Sequence, residues 1–211
     1  MTEWVPTVSV ETVSCALLFA RVAVPSELVP STKVIVPVAV VGDDGEGYEL
    51  DQALADYNAS IGINPDNALP YDGRGSVYKA KADIDRALAD FTRAIEIDPT
   101  DAGAYSDRAS VYEVYGKFDL AIADYSKAIA IIPTDAEAYI FRADAYKAKG
   151  DLDGALADCD KAIELDPQYA DAYRKRGSLY QDRGDLARAT ADYDKAEKLG
   201  MQSLLAPKTA K

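Results

Sequence analysis

The chain has 211 residues, 48% apolar and 28% charged, with 36 acidic against 23 basic side chains and a net charge of −13. That length and composition suit one or two globular domains with a sizeable core. The lack of histidine, the two cysteines (Cys15 and Cys159) and the acidic balance exclude several classes: histidine-dependent nucleophilic catalysis, histidine zinc sites, a disulfide scaffold, and the basic face that nucleic acid or an anionic membrane demands.

Residues 1–47 differ in composition from the rest. The first 41 residues hold 12 of the 15 valines, and all 14 tyrosines lie at or after Tyr48. The turn-rich stretch Gly42-Asp43-Asp44-Gly45-Glu46-Gly47 marks the boundary. Glu11 and Arg21 interrupt the apolar stretch around Cys15, so no span reaches membrane-crossing length. Glu3 with no early Lys or Arg is unlike a secretory leader. The cytoplasm is therefore the expected location. Residues 34–41 (VIVPVAVV) are β-prone, but Pro37 limits them to an edge strand. The segment reads as a Val-rich arm, either loosely ordered or packed on the end of the next domain.

From Tyr48 onward a period of 34 residues organises the chain. Prolines fall at 65, 99, 133 and 167, and tyrosines at 71, 105, 139 and 173 and again at 78, 112, 146 and 180. A further register reads Tyr57, Phe91, Tyr125, Cys159, Tyr193, and alanines fall at 53, 87, 121, 155 and 189. In residues 102–135, Tyr105, Ala109 and Tyr112 make one helical stripe, and Ala121, Tyr125, Ala128 and Ile129 make a second. Gly116 separates them and Pro133 ends the second. Each unit therefore predicts two helices of about 13 residues joined by a turn. One such hairpin cannot bury both apolar faces, so the units must stack. Tyr112→Ala is expected to cost about 3–5 kcal/mol, as for other large aromatic truncations.

In the second full repeat Tyr105, Arg108, Ala109, Tyr112, Ala121, Tyr125, Ala128 and Pro133 resemble the pattern of the tetratricopeptide repeat (TPR) family. Tyr stands for the family's Trp and Arg for its Leu throughout. The resemblance implies an all-α TPR helix-turn-helix solenoid, a right-handed superhelix of four full repeats plus a degenerate half repeat. The full repeats are 68–101, 102–135, 136–169 and 170–203, and the partial one is 48–67. In the partial repeat, Pro37 and Asp44 occupy the places of the missing helix's aromatics. Met201 replaces the last proline, and 204–211 is a short tail with no polar capping helix.

The substituting arginines form a register of their own: Arg74, Arg108, Arg142 and Arg176. So do Asp56, Asp90, Asp124, Asp158 and Asp192. A ladder in which each Arg grips an Asp of its own or the preceding hairpin is expected, since guanidinium suits bidentate carboxylate pairing. Cys159 shares the aromatic register and is read as a buried, inert thiol.

By the same resemblance, the first helix of each repeat lines a groove that takes an extended peptide. Its fifth, ninth and twelfth positions supply the candidate peptide-binding residues. These are Asp72, Ser76, Lys79, Ser106, Ser110, Glu113, Ile140, Asp144, Lys147, Arg174, Ser178 and Gln181. Chaperone-binding members hold a partner's C-terminal carboxylate with Lys at the fifth and Asn at the ninth position of the first repeat. Asp72 and Ser76 stand there instead, so that clamp is absent. Over all its positions the groove carries six acids (with Glu137, Asp171 and Asp182) and three bases. A neutral or basic partner is favoured. No residue set marks a catalytic, metal or cofactor site, and a non-enzymatic interaction scaffold is the expected function. The alternative is a homo-oligomer formed through uncapped terminal repeats.

Overall fold

The computed structural model describes residues 46–205, and the side chains of 49–200. The Val-rich arm before Glu46, with Cys15 and the edge strand expected at 34–41, lies outside the described residues, as does the tail after Leu205.

The described residues form nine helices and no strand. Helix α1 (Glu46–Ile63) takes the second-helix place of the partial repeat. Four hairpins follow: α2 (Leu69–Ala80) with α3 (Ile84–Ile97), and α4 (Ala102–Val114) with α5 (Phe118–Ile131). They continue with α6 (Ala136–Lys149) and α7 (Leu152–Leu165), then α8 (Ala170–Asp182) and α9 (Leu186–Leu205). Each helix packs on its chain neighbours. In addition α2 touches α4, α4 touches α6 and α6 touches α8, while α3, α5, α7 and α9 make no such contacts with one another. The first helices are therefore the inner, closer-spaced row of the curve, and the second helices the outer one.

The turns are built alike. In the second hairpin Gly116 N donates to Glu113 O (2.9 Å) and Lys117 N to Tyr112 O (2.8 Å), and the same pair of bonds closes the other three. This double closure needs a left-handed residue. Gly116, Gly150 and Gly184 have φ of +69, +89 and +80°, and Ala82 is forced to +57° in the first hairpin. Asp83, Asp151 and Asp185 then cap the outer helices by accepting from backbone N–H groups. Lys117 holds that place in the second repeat and makes no side-chain cap.

Small residues let the paired backbones meet. Ala87, Ala121 and Ala155 are fully buried, as are Phe91 and Cys159, with Tyr125 at 2% exposure. Burial pushes the Cys159 thiol up to about 12, so it stays protonated. Tyr112 is only half-buried, so the large truncation cost belongs to Tyr125 rather than to Tyr112.

The arginine ladder is present in every full repeat. Arg74, Arg108, Arg142 and Arg176 each grip Asp90, Asp124, Asp158 and Asp192 of their own hairpin through Nε and Nη2, at 2.7–2.9 Å. Their Nη1 groups reach back to Asn58, Thr92, Ser126 and Asp160 of the preceding outer helix, at 2.6–3.1 Å. Each guanidinium carbon also lies 5.5–6.0 Å from the rings of two tyrosines, such as Tyr139 and Tyr146 around Arg142. The arginine that replaces the family's leucine is thus held by a carboxylate, a backward acceptor and two ring faces at once.

Leu88, Ile122 and Leu156, with Ile95, Ile129 and Ile163, join apolar clusters that include residues of the following repeat. In α9 the same two registers hold Thr190 and Glu197, both exposed. At these two registers the last repeat presents polar side chains, where an uncapped apolar face was expected.

Candidate functional site: the face of the inner helices

The inner row places the twelfth residue of one repeat opposite the ninth of the next. Lys79 Nζ donates to Ser110 Oγ (2.7 Å) and Lys147 Nζ to Ser178 Oγ (2.8 Å). Between these two crossings the same positions bring Glu113 opposite Asp144. Burial first, then the Asp144 charge, pushes the Glu113 carboxyl above its ordinary value, and the Tyr125 hydroxyl donates to Glu113 Oε2 at 3.3 Å. Lys175 Nζ sits 2.6 Å from Asp144 Oδ2 and neutralises that side.

Lys79, Ser106, Ser110 and Glu113 line one cleft between the second and third repeats, of about 630 Å³. Asp107, Val114, Phe118, Tyr125 and Phe141 complete it. Val114 is 80% exposed and Phe141 40%, with the Phe141 ring 6.0 Å from that of Tyr125. Lys79 also approaches Asp107 at 3.4 Å.

The other expected residues divide. Asp72 is half-buried, and its Oδ1 is buried without a hydrogen bond among the described residues. Burial, then the charges of Asp107 and Asp101, push its carboxyl up to about 7, with Lys79 opposing. Lys147 pairs with Asp182 at 2.8 Å, and Arg174 with Asp171 at 2.6 Å. Gln181 accepts from the Tyr193 hydroxyl at 3.0 Å, and Ser76 is half-buried on α2. Ile140 is a correction: it is 2% exposed and belongs to the apolar core beside Ala138 and Ala143, so it offers no surface to a ligand.

The sixth position of each repeat was missed. It supplies Asp107 and Phe141 to the cleft and Lys175 to Asp144. This register lies over the preceding outer-helix aromatic: a Cβ on Gly73 would collide with the Tyr57 ring. The signal available was Phe141 itself, an inner-helix aromatic outside all the tyrosine registers.

Two family models match the sequence, one for the TPR repeat over residues 143–184 and one for the tetratricopeptide repeat over 73–136. The chain is a tetratricopeptide repeat protein. No curated protein matches it. Among solved structures, MamA is 23% identical with a TM-score of 0.69, over 78% of this chain and 99% of its own. YrrB, described as a TPR protein with an unusual peptide-binding site, is 26% identical at TM-score 0.62, over 77% of this chain and 84% of its own. The first TPR domain of Spaghetti, bound to the HSP90 peptide SRMEEVD, is 27% identical at TM-score 0.53, over 56% of this chain and 94% of its own. The tetratricopeptide solenoid is a protein-interaction scaffold, and no helix among the described residues is long and apolar enough to cross a membrane.

Proposed function

We propose that this tetratricopeptide protein binds a partner peptide along its inner row of helices, without a carboxylate clamp and without chemistry of its own. The observation that carries the reading is the open cleft between the second and third repeats, where half-exposed Phe141 and exposed Val114 stand among polar side chains. The partner is neutral or basic. An acidic tail such as that of the HSP90 peptide on Spaghetti would meet Asp72 and Asp107, while the cations Lys79 and Lys175 already hold acids of this chain. The cytoplasm is the proposed location, and the arm expected over 1–47 is proposed to end where α1 begins, at Glu46. Self-assembly through the C-terminal repeat is disfavoured, because Thr190 and Glu197 would have to be buried.

Affinity capture with mass spectrometry tests the reading. Partners retained by the full chain should be lost on Val114→Asp, in the cleft, and kept on Lys127→Glu, an exposed site on outer helix α5. Equal loss or equal retention for both variants would count against the inner face.

A further inference from the structure

The chemistry of the partner can be taken one step further, on the reading that the inner face binds a peptide. Three observations meet at the cleft of the second and third repeats, with Asp144 one turn beyond the lining residue Phe141 on α6. The first is the crossing of Glu113 and Asp144. The repeats before and after place lysine opposite serine here, with direct bonds of 2.7 and 2.8 Å. By the same register, with α4 against α6, the central crossing sets carboxylate against carboxylate. Asp144 has Lys175 at 2.6 Å. Glu113 has the Tyr125 hydroxyl and, at longer range, the opposing charge of Lys175, but no cation within ion-pair distance among the described residues.

The second observation is apolar surface one residue away. Val114 at 80% exposure and Phe141 at 40% border the same cleft. Both lie on inner helices of interior repeats, where no further repeat can stack to cover them. The third is the charge balance. Lys79 in the cleft lining already faces Asp107, and Lys175 already faces Asp144. An incoming carboxylate would have to displace one of these, whereas an incoming ammonium or guanidinium completes Glu113.

We propose that the cleft seats a large apolar side chain of the partner between Phe141 and Val114 while a Lys or Arg of the same peptide binds Glu113 and Asp144. Phe141 supplies apolar contact area, and the carboxylate crossing supplies orientation and selectivity. The division follows general interface behaviour, in which a few aromatic anchors dominate affinity and charge complementarity selects the partner.

The test is to pan a phage-displayed library of random peptides against the full chain. The enriched peptide is then titrated, fluorescein-labelled, by anisotropy. The expected consensus pairs a large apolar residue with a neighbouring Lys or Arg. Phe141→Ala should weaken the labelled peptide about 10- to 100-fold. Glu113→Gln should weaken it about tenfold, yet leave unchanged the same peptide with its basic residue replaced by Gln. Circular dichroism of each variant checks folding. A consensus that is acidic or lacks a basic residue, with binding still lost on Val114→Asp, overturns this assignment and leaves the inner-face reading standing. Binding that no inner-face substitution alters, or no enrichment at all, overturns both.

Discussion

Glu113 faces Asp144 at the one inner-row crossing where the flanking repeats set lysine against serine. Because burial and Asp144 raise the Glu113 carboxyl, the folded state holds its proton more tightly than the unfolded chain does. Stability from this group must then fall as pH rises through the folded value. Glu113→Gln should remove that slope and stabilise the protein by about 0.5–1 kcal/mol at neutral pH, a modest figure because the site is partly solvated. Urea denaturation at pH 5 and pH 8 reads both effects. A variant less stable than the parent at pH 8 would contradict the repulsion.

Asp72 carries the same sign at a second place. Its carboxyl, pushed up to about 7, favours folding while protonated and opposes it once ionised. Stability should decline between about pH 4 and pH 7 on this account. Asp72→Asn should flatten the decline and exceed the parent at pH 8 by about 1 kcal/mol, with solvent screening limiting the gain. Thermal melts across that range check the prediction.

Breaking the ladder should be costly in one direction only. Arg142 and Asp158 are 19% and 7% exposed. Arg142→Met leaves the carboxylate buried and unpaired, at a cost of about 3–5 kcal/mol. Adding Asp158→Leu should recover most of that loss, because replacing both partners removes the unpaired charge. Equal instability of the single and double variants, by urea denaturation, would assign the loss to the tyrosine contacts instead.

How much of this was legible in the sequence depends on what each position has to conserve. The Arg–Asp grip was readable because both residue types recur at a fixed spacing of 16. The backward reach of each arginine was not. Its acceptors are Asn58, Thr92, Ser126 and Asp160, four residue types alike only in offering an oxygen. Site residues were harder. A position on the inner helices says which way a side chain starts, not whether neighbours cover it. Ile140 starts toward the groove and ends in the core. Phe141, one residue on, reaches the cleft.

The first hairpin turn carries a strain that glycine would remove. Ala82 has a φ of +57° where the other three turns use glycine. Ala82→Gly should stabilise the protein by about 0.5–1 kcal/mol, the left-handed penalty less the extra freedom glycine brings to the unfolded chain. A lower melting temperature would refute it.

The second turn lacks a cap rather than a glycine. Lys117 makes no side-chain bond to the start of α5, whereas Asp83, Asp151 and Asp185 each accept a backbone N–H there. Lys117→Asp should add about 0.5–2 kcal/mol. Amide hydrogen exchange in the first turn of α5 should slow. Unchanged exchange there would mean the cap does not form.

The two-way reach of each arginine bears on how such a chain can lengthen. A guanidinium finds one partner 16 residues ahead in its own repeat and another 16 behind in the preceding one. An in-frame duplication of residues 136–169 would therefore give the new unit its acceptor, its tyrosines and its link to the unit before it, with no compensating change. A unit appended after α9 would meet Thr190 and Glu197 instead of Leu and Ile. Growth from the interior of the array thus needs no further substitution, whereas stacking on α9 would bury Thr190 and Glu197.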